Sequence, residues 1–280
     1  MPDPSDPNIP KLPETVLRTP FRQGLFANKT AIVTGGGTGI GRAIALELLE
    51  LGAKVAICGR RQEPLDALVA ECKERGHEVF AETCDIRDAE RVAGYVDHVL
   101  AHYGSIDILV NNAGGQFPSP AQAISPKGFE AVVRNNLVGT FNMTHAVANK
   151  AMLPARRGKV VNIIANILRG FPGMSHTGAA RAGVDNLTKS LAVEWASHNV
   201  QVNAVAPGII VSTGTDRYPP ELVVKAKHET PAKRLGVPEE VAHLVSFLAS
   251  DAAAYVTGTT IYIDGGQSLW GDIWDVVTPD

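Results

Sequence analysis

Thr-Gly-Gly-Gly-Thr-Gly-Ile-Gly, residues 34–41, is the stretch that decides the fold. It follows a short apolar run at residues 30–34 and leads into residues 41–52, whose apolar side chains recur at helical spacing. Glycines between a strand and a helix allow a tight turn, close approach of the backbone to a pyrophosphate, and close contact between helix and strand. The helix N-terminus then favours negative charge. The stretch therefore predicts that the chain binds a dinucleotide.

Apolar runs and helical patterns alternate along the rest of the chain. Strands are predicted at about residues 30–34, 54–58, 79–84, 106–110, 158–164, 200–206 and 260–263. Helices are predicted at about residues 41–52, 64–75, 89–103, 129–152, 175–197 and 238–249. Fully apolar strands that alternate with helices are typical of a parallel sheet covered on both faces. We predict an α/β fold, a Rossmann-type doubly wound parallel sheet in a single domain at 25–267, between an N-terminal arm at 1–24 and a C-terminal arm at 268–280.

Composition narrows the class of protein. The chain has 280 residues, of which 45% are hydrophobic and 20% charged, and its formal net charge is −3. This charge gives no general attraction to nucleic acid or to an anionic membrane. No apolar stretch approaches the roughly 20 residues that span a bilayer. The three cysteines lack metal-ligand spacing and are typical of reduced thiols. We expect a cytoplasmic protein with no metal site and no nucleic-acid or membrane partner.

The end of the second predicted strand indicates which cofactor is bound. NAD sites usually place an acidic residue there, on the ribose 2′-hydroxyl. This chain instead reads Cys58-Gly59-Arg60-Arg61, with no acid before Glu63. Two guanidinium groups can grip a 2′-phosphate through charged hydrogen bonds. We predict NADP(H), with a solvated basic corner as the alternative interpretation of Arg60 and Arg61.

Further spaced motifs make a family resemblance specific. They are Cys84-Asp85-Ile86, Asn111-Asn112-Ala113-Gly114, Asn136-Leu137-x-Gly139-Thr140, Pro207-Gly208, and Asp264-Gly265-Gly266. With them, residues 25–267 resemble the short-chain dehydrogenase/reductase family. The resemblance implies a cofactor site made of Gly35, Gly37, Thr38, Gly39, Ile40, Gly41, Arg60, Arg61, Asp85, Ile86, Asn111, Ala113, Gly114, Arg181, Pro207, Gly208, Ile210 and Ser212. In that site the 85–86 pair would border the adenine, and Ser212 would touch the nicotinamide amide. Asn111, Ala113 and Gly114 would lie along the ribose and phosphates.

The catalytic part of the family pattern is broken. The family uses Asn, Ser, Tyr and Lys, and its tyrosine exchanges a proton with a substrate oxygen. Here Thr177 falls at the tyrosine position and Arg181 at the lysine position, residues 162–166 contain no hydroxyl group, and Asn136 is kept. Threonine is no useful acid near neutral pH, and arginine is a permanent cation. Ordinary alcohol–ketone chemistry is therefore disfavoured.

Reduction of a conjugated enoyl thioester tolerates this loss better. Hydride adds to the β-carbon, and the charge that collects on the thioester oxygen can be stabilised by hydrogen bonds and a cation. Residues 112–121, 176–184 and 231–234 resemble the peroxisomal-type trans-2-enoyl-CoA reductases, which use NADPH. We predict an enoyl-CoA reductase of fatty acid metabolism. Its catalytic candidates are Asn136, Thr177, Arg181 and His176.

Several assignments stay open. Gln116, Phe117, Asn166 and Tyr218 are candidate substrate contacts, the last in a loop at about 211–230 that resembles a lid. His176 could donate a proton or bind a phosphate, although its side chain should point away from the Thr177 face of the helix.

Two other functions also fit the sequence: a dehydrogenase of a terpenoid or fatty alcohol or aldehyde, and a non-catalytic NADP(H)-binding sensor. The alcohol dehydrogenase would need an unusual base, such as His176 or Tyr218. A helix rich in small residues at 179–183 can approach a neighbour closely. The family resemblance implies that this helix packs between subunits in a homotetramer.

Overall fold

The computed structural model describes residues 19–211 and 220–269. Within these residues seven parallel strands form one sheet in the order β3-β2-β1-β4-β5-β6-β7. The strands are β1 Thr30–Thr34, β2 Lys54–Gly59, β3 Val79–Thr83, β4 Ile108–Asn111, β5 Gly158–Ile163, β6 Val200–Pro207 and β7 Thr260–Ile263. The predicted fold class is confirmed.

Helices connect the strands. They are α1 Gly39–Glu50, α2 Gln62–Glu74, α3 Ala89–Tyr103, α4 Pro126–Val133, α5 Gly139–Val147, α6 Leu153–Ala155, α7 Ser175–Trp195, α8 Pro220–Glu229 and α9 Pro238–Ala249. Local signals set several ends. Asp88 caps α3 by accepting hydrogen bonds from two backbone N–H groups, and Gly104 ends it at a positive φ of 82°. Helices α4 to α6 form nearly one continuous run, interrupted by π-helical turns at Arg134–Val138 and Ala148–Met152.

The strand order places a crevice where the predicted site lies. The chain leaves β1 in one direction, toward β2 and β3, and returns on the other side of β1 as β4. In open α/β sheets, ligands bind outside the carboxyl ends of the strands at this switch point. Residues that follow β1, β2, β4 and β5 therefore surround the crevice.

The core has two layers, one on each face of the sheet. One layer packs α1 and α9 on the strands, with Ile44, Leu48 and Val245 fully buried. The other packs α3 and α5, with Val99 and Met143 fully buried. Helices on both faces explain why the central strands carry apolar side chains without alternation.

Two sequence predictions differ from the structure. The predicted loop at 211–230 contains helix α8 at Pro220–Glu229, while residues 212–219 lie outside the described residues. Proline is favoured in the first turn of a helix, and the nine residues after Pro220 contain no glycine or further proline. The fourth strand begins at Ile108 rather than at residue 106. Asp107 there instead accepts a hydrogen bond from the Thr30 N–H at 3.0 Å.

The inner part of the predicted N-terminal arm contacts the domain. Phe21 packs against the core layer of α1 and α9, with its ring edge-on to His243 at a centroid distance of 6.4 Å. Residues 1–18 and 270–280 lie outside the described residues, so the boundaries of the two arms stay predictions. Among the described helices, none combines the length and apolar character needed to cross a bilayer.

Candidate functional site

The turn after β1 requires glycine at several positions. Gly35 and Gly39 adopt positive φ angles of 65° and 54°, which favour glycine. A Cβ on Gly41 would overlap the carbonyl oxygen of Gly35 and the side-chain nitrogen of Asn112. These contacts explain why glycines occupy the turn, and the binding of a ligand's phosphates at this backbone and at the N-terminus of α1 stays a prediction.

Thr34 joins this turn to the end of β4. Its Oγ1 accepts hydrogen bonds from the backbone N–H groups of Asn112 at 3.0 Å and Ala113 at 2.9 Å. In return, Asn112 donates from Nδ2 to the Thr34 carbonyl oxygen at 3.0 Å. Sequence reasoning assigned no role to Thr34 or Asn112, because their partners are almost 80 residues away in the chain.

The end of β2 carries exposed basic side chains. Arg60 and Arg61 are exposed directly before α2 begins at Gln62. Asp85, after β3, forms a two-pronged ion pair with Arg87, with Nε–Oδ1 at 2.9 Å and Nη2–Oδ2 at 2.5 Å. Hydrogen bonds from Arg87 hold the pKa of Asp85 below its ordinary value, and Arg60 adds a smaller effect. Arg87 is a further charged residue at this corner that the sequence analysis did not single out.

Two predicted cofactor residues use their side chains inside the protein. Ile86 is buried, and its side chain fills the space above Gly139. Asn111 donates from Nδ2 to Thr144 Oγ1 and to Asn162 Oδ1, both at 2.8 Å. The side-chain amide nitrogen of Asn111 therefore donates within the protein, and the place of Asn111 beside a cofactor stays a prediction.

Asn162 extends this buried hydrogen-bonded chain to α7. Its Nδ2 donates to Thr188 Oγ1 at 2.9 Å, and that hydroxyl donates to the Val184 carbonyl oxygen at 2.8 Å. The chain of Thr144, Asn111, Asn162 and Thr188 thus links α5, β4, β5 and α7. It connects the sheet to α7, which carries three catalytic candidates, and to α5, which follows the π-helical turn of Asn136.

Asn136 lies in the first π-helical turn and is fully buried. Its Nδ2 donates to the carbonyl oxygens of Gly115 at 2.8 Å and Val132 at 2.9 Å. Its Oδ1 accepts from the Gly115 N–H at 3.3 Å. Asn136 therefore holds the loop after β4 in place, at a helix irregularity of a kind often found at functional sites.

Arg181 is a buried cation beside this loop. Arg181 is only 7% exposed, and its Nη1 donates to the Ile163 carbonyl oxygen at 2.9 Å. A Cβ on Gly114 would overlap Arg181 Nη2 and lie 2.7 Å from Asn136 Oδ1, so these three residues converge. Burial lowers the pKa of Arg181 to about 10, which keeps it charged at neutral pH. Its Nε is buried without a hydrogen-bond partner among the described residues.

His176 and Thr177 are both fully buried in the first turn of α7. The Thr177 N–H donates to His176 Nδ1 at 2.9 Å, and the Thr177 hydroxyl oxygen lies 3.4 Å from the same nitrogen. The ring of His176 meets that of Phe117 at 89°, with a centroid distance of 4.5 Å. The contacts described thus bring Phe117, Asn136 and Arg181 together with Thr177 and His176 around the loop after β4.

The remaining predicted substrate and cofactor residues lie around the same crevice or outside the described residues. Gln116 is exposed in the loop after β4. Pro207 ends β6, and Gly208 and Ile210 follow it. Ser212 and Tyr218 lie outside the described residues.

Asp264 ties the loop after β5 to the segment after β7. It accepts hydrogen bonds from Asn166 Nδ2 at 3.1 Å and from the backbone N–H groups of Gly266 at 2.9 Å and Ser268 at 2.7 Å. Arg169 adds a second tie by donating to the Ser268 carbonyl oxygen at 3.0 Å. Asn166 is therefore held from the side of β7, a contact that the Asp264-Gly265-Gly266 motif alone did not reveal.

The described residues contain neither a cluster of metal-binding side chains nor a disulfide. No group of three or more His, Cys, Asp or Glu side chains among residues 19–211 and 220–269 could hold a metal ion. Cys58, Cys72 and Cys84 are unpaired as disulfides and buried.

The chain is similar to several known proteins over most of its length. A family model described as Enoyl-(Acyl carrier protein) reductase matches residues 35–268. The chain is 40% identical over 243 residues to the 3-oxoacyl-[acyl-carrier-protein] reductase FabG of Staphylococcus aureus, covering 86% of this chain and 98% of that protein. It is 37% identical over 246 residues to a probable 2,4-dienoyl-CoA reductase of Bacillus subtilis, covering 86% and 97%.

The chain is also similar to solved structures of dehydrogenases. A structure titled citronellol catabolism dehydrogenase, from Pseudomonas aeruginosa PAO1, is 47% identical with a TM-score of 0.81, covering 89% of this chain and 99% of that one. A short chain dehydrogenase from Bacillus anthracis is 35% identical with a TM-score of 0.79, covering 87% and 98%.

Proposed function

The chain belongs to the short-chain dehydrogenase/reductase family of oxidoreductases, and from this premise we propose that it reduces a trans-2-enoyl thioester, such as an enoyl-CoA, with NADPH. The observation that carries the proposal is Arg181, a buried cation that contacts the Gly114 backbone in place of a proton-exchanging pair. A fixed cation stabilises a charged oxygen, whereas it cannot exchange a proton at neutral pH.

The residues present fit NADP(H). The turn presents only backbone at its glycines, of which Gly35 and Gly39 adopt positive φ angles, and α1 begins there at Gly39. Gly35, Gly37, Thr38, Gly39, Ile40 and Gly41 would hold the pyrophosphate, and Arg60 and Arg61 the 2′-phosphate. When bound, the reduced cofactor supplies a hydride.

The catalytic candidates have different roles in the proposed reduction. In the reduction, hydride adds to the β-carbon of the enoyl group, the thioester oxygen takes the negative charge, and the α-carbon is later protonated by water. Arg181 lowers the energy of that charge, with Thr177 beside it one helical turn earlier. Asn136 positions the Gly114–Gly115 backbone against which Arg181 packs. The relative named as a probable 2,4-dienoyl-CoA reductase, whose name indicates a conjugated acyl thioester, supports this substrate class.

NADPH oxidation at 340 nm with trans-2-enoyl-CoA substrates of several chain lengths tests the proposal. We expect turnover in the native protein and a loss of about 10²- to 10³-fold in kcat for Arg181→Ala, the size of effect seen when a charge-stabilising group is removed. Arg181→Lys is the matched control because it restores the cation, and we expect it to recover part of the rate. NADPH binding without turnover on any enoyl thioester contradicts the proposal.

A second candidate function is the dehydrogenation of a terpenoid alcohol or aldehyde. It is supported by the 47% identity to the structure titled citronellol catabolism dehydrogenase. This reaction requires a group that takes a proton from the alcohol oxygen, and the residues that converge on Arg181 include no phenol. Citronellol oxidation with NADP⁺ that exceeds enoyl-CoA reduction in kcat/KM would favour this candidate. Tight NADP(H) binding without turnover on enoyl, keto or alcohol substrates would instead support a sensor.

The proposal also includes a cytoplasmic homotetramer that acts on a small acyl thioester or lipid-like substrate. Three large apolar side chains, Phe129, Val138 and Phe141, are exposed along α4 and α5 and support an interface there. The small residues of α7 are partly used within the chain, since a Cβ on Gly183 would lie 2.8 Å from Leu137. Sedimentation equilibrium tests the tetramer, and a monomer at micromolar concentration contradicts it.

A further inference from the structure

His176 carries a buried hydrogen-bond donor that nothing in the described structure uses. Its Nδ1 accepts the N–H of Thr177 at 2.9 Å, so Nδ1 carries no proton in this arrangement. The proton of the neutral ring is therefore on Nε2. Nε2 is buried and has no hydrogen-bond partner among the described residues.

A buried donor without a partner is uncommon in native proteins and calls for a physical explanation. The cap on the Thr177 N–H accounts for Nδ1 of the ring, but it leaves the buried Nε2–H without a partner among the described residues. An acceptor brought by a ligand does explain it. The position supports this interpretation, since the contacts of Phe117 and Thr177 place His176 beside the residues that converge on Arg181.

Phe117 covers His176 from the loop after β4. The phenyl ring is 40% exposed, while the imidazole ring that it meets edge-on at 4.5 Å is fully buried. Gly128 in α4 leaves space for the tip of the phenyl ring, because a Cβ there would lie 3.3 Å from Phe117 Cζ. A half-exposed side chain on a surface loop can move more easily than the helix and strand residues around it.

We propose that an acyl thioester displaces the Phe117 ring from His176 and that the thioester carbonyl oxygen then accepts a hydrogen bond from His176 Nε2–H. This inference rests on the proposed enoyl-thioester reduction and gives it a second donor beside Arg181. His176 acts as a neutral donor that stabilises the charged oxygen and keeps its proton throughout. Phe117 acts as the gate that keeps this donor away from water until the substrate is present.

Two substitutions at position 176 separate this role from a purely structural one. The side-chain amide of His176→Gln reaches the place of Nε2 and can donate from there, whereas that of His176→Asn reaches only the place of Nδ1 and can still accept from Thr177. We expect Gln to keep kcat with enoyl-CoA within about tenfold of the native value and Asn to lose about 10²-fold or more, with NADPH affinity unchanged in both. If His176 only caps the Thr177 N–H, the order reverses, and a fully active Asn variant overturns the proposal.

The contact at His176 Nε2 has its own readout. In protein with ¹⁵N-labelled histidine and bound NADP⁺, a saturated acyl-CoA should shift the His176 Nε2 resonance, and the shift should persist in Phe117→Leu. No shift at saturating acyl-CoA overturns the proposed contact even where enoyl reduction is observed. Enoyl turnover with an unaffected His176→Asn variant removes this inference alone, whereas no enoyl turnover in the native protein removes the proposed function as well.

Discussion

The glycine turn after β1 and the first turns of α7 lie at the same crevice but are built in opposite ways. In the glycine turn, Thr34 and Asn112 are paired with backbone groups, and Gly41 stands where a Cβ would overlap neighbouring protein atoms. At the start of α7, His176 Nε2 and Arg181 Nε are buried without partners among the described residues. The hydrogen bonds of Thr34 and Asn112 are thus formed in the folded chain, whereas α7 contains buried nitrogens that a ligand could still use.

This difference separates the residues that stabilise the fold from those that we expect to act on the substrate. Completed hydrogen bonds and close backbone contacts stabilise the fold, while buried unpaired donors cost stability and persist where function requires them. The comparison predicts that substitutions in the turn harm folding and cofactor binding together. Substitutions in α7 should harm turnover while leaving stability unchanged or higher.

The largest effect is expected for Gly41→Ala in the turn. The added methyl group overlaps the Gly35 carbonyl oxygen and Asn112, and overpacking of this kind costs about 1–3 kcal/mol or more of stability. We expect a lower melting temperature and loss of measurable NADPH binding, read by thermal unfolding and fluorescence titration. Gly94→Ala is the control, because it lies in α3 with open space around the position and should be neutral or slightly stabilising. Normal NADPH affinity in Gly41→Ala would contradict the account of the turn.

Arg181→Met tests the comparison in α7. Burial lowers the pKa of Arg181 to about 10, so the charged form costs folding free energy at any pH below that value. Removing the charge should leave stability unchanged or raise it by up to roughly 2 kcal/mol, while kcat falls about 10²- to 10³-fold. Urea unfolding and enoyl-CoA kinetics measure the two quantities. The exposed Arg75→Met serves as the control and should change neither by much. An Arg181→Met protein that is both less stable and fully active would reverse the expected pattern.

Asn162→Ala tests the hydrogen-bonded chain that lies between the two regions. The change leaves Asn111 and Thr188 without their shared buried partner, which should lower the free energy of unfolding by about 2–3 kcal/mol. We expect kcat to change less than stability, since no atom of Asn162 takes part in the reaction. Asn149→Ala, an exposed helix position, is the control. Chemical unfolding of the two variants measures this difference. Equal unfolding midpoints would show that the hydrogen-bonded chain contributes little to stability.

The smallest effect is expected at the exposed basic corner. Arg60→Ala should raise KM for NADPH about tenfold or somewhat more, the value of one charged hydrogen bond to a 2′-phosphate, and should leave KM for NADH nearly unchanged. Arg75→Ala, which is distant from the predicted phosphate, should alter neither. Steady-state kinetics with both cofactors measure the ratio. A parallel loss with NADPH and NADH would mean that Arg60 does not read the 2′-phosphate.

The same comparison explains which features could be predicted from the sequence. The turn, the strands and the sheet follow from local signals, such as Gly35, Gly39 and the apolar runs, so they were predicted correctly. The Arg181 position was also visible in the sequence. Its burial, its contact with Ile163 and the closeness of Gly114 were not, because they depend on how β4, β5 and α7 pack.

Features that depend on distant partners escaped the sequence analysis. His176 was expected to point away from Thr177, yet its ring accepts the Thr177 N–H and lies buried under Phe117. The side-chain amide of Asn111 donates to α5 and β5, and neither partner could be predicted from the sequence. Periodicity describes which face of an element a residue occupies, and it carries no information about what covers that face.

The most direct test of the central claim compares two substrates of equal chain length in the native protein. NADPH oxidation is followed at 340 nm with a trans-2-enoyl-CoA and with the matching 3-oxoacyl-CoA, whose reduction requires a proton delivered to the oxygen. A site with a buried cation and, within residues 19–211 and 220–269, no phenol beside that cation predicts a kcat/KM for the enoyl substrate at least about 10²-fold higher. Faster reduction of the 3-oxoacyl substrate would contradict the account and would show that another residue replaces the family tyrosine.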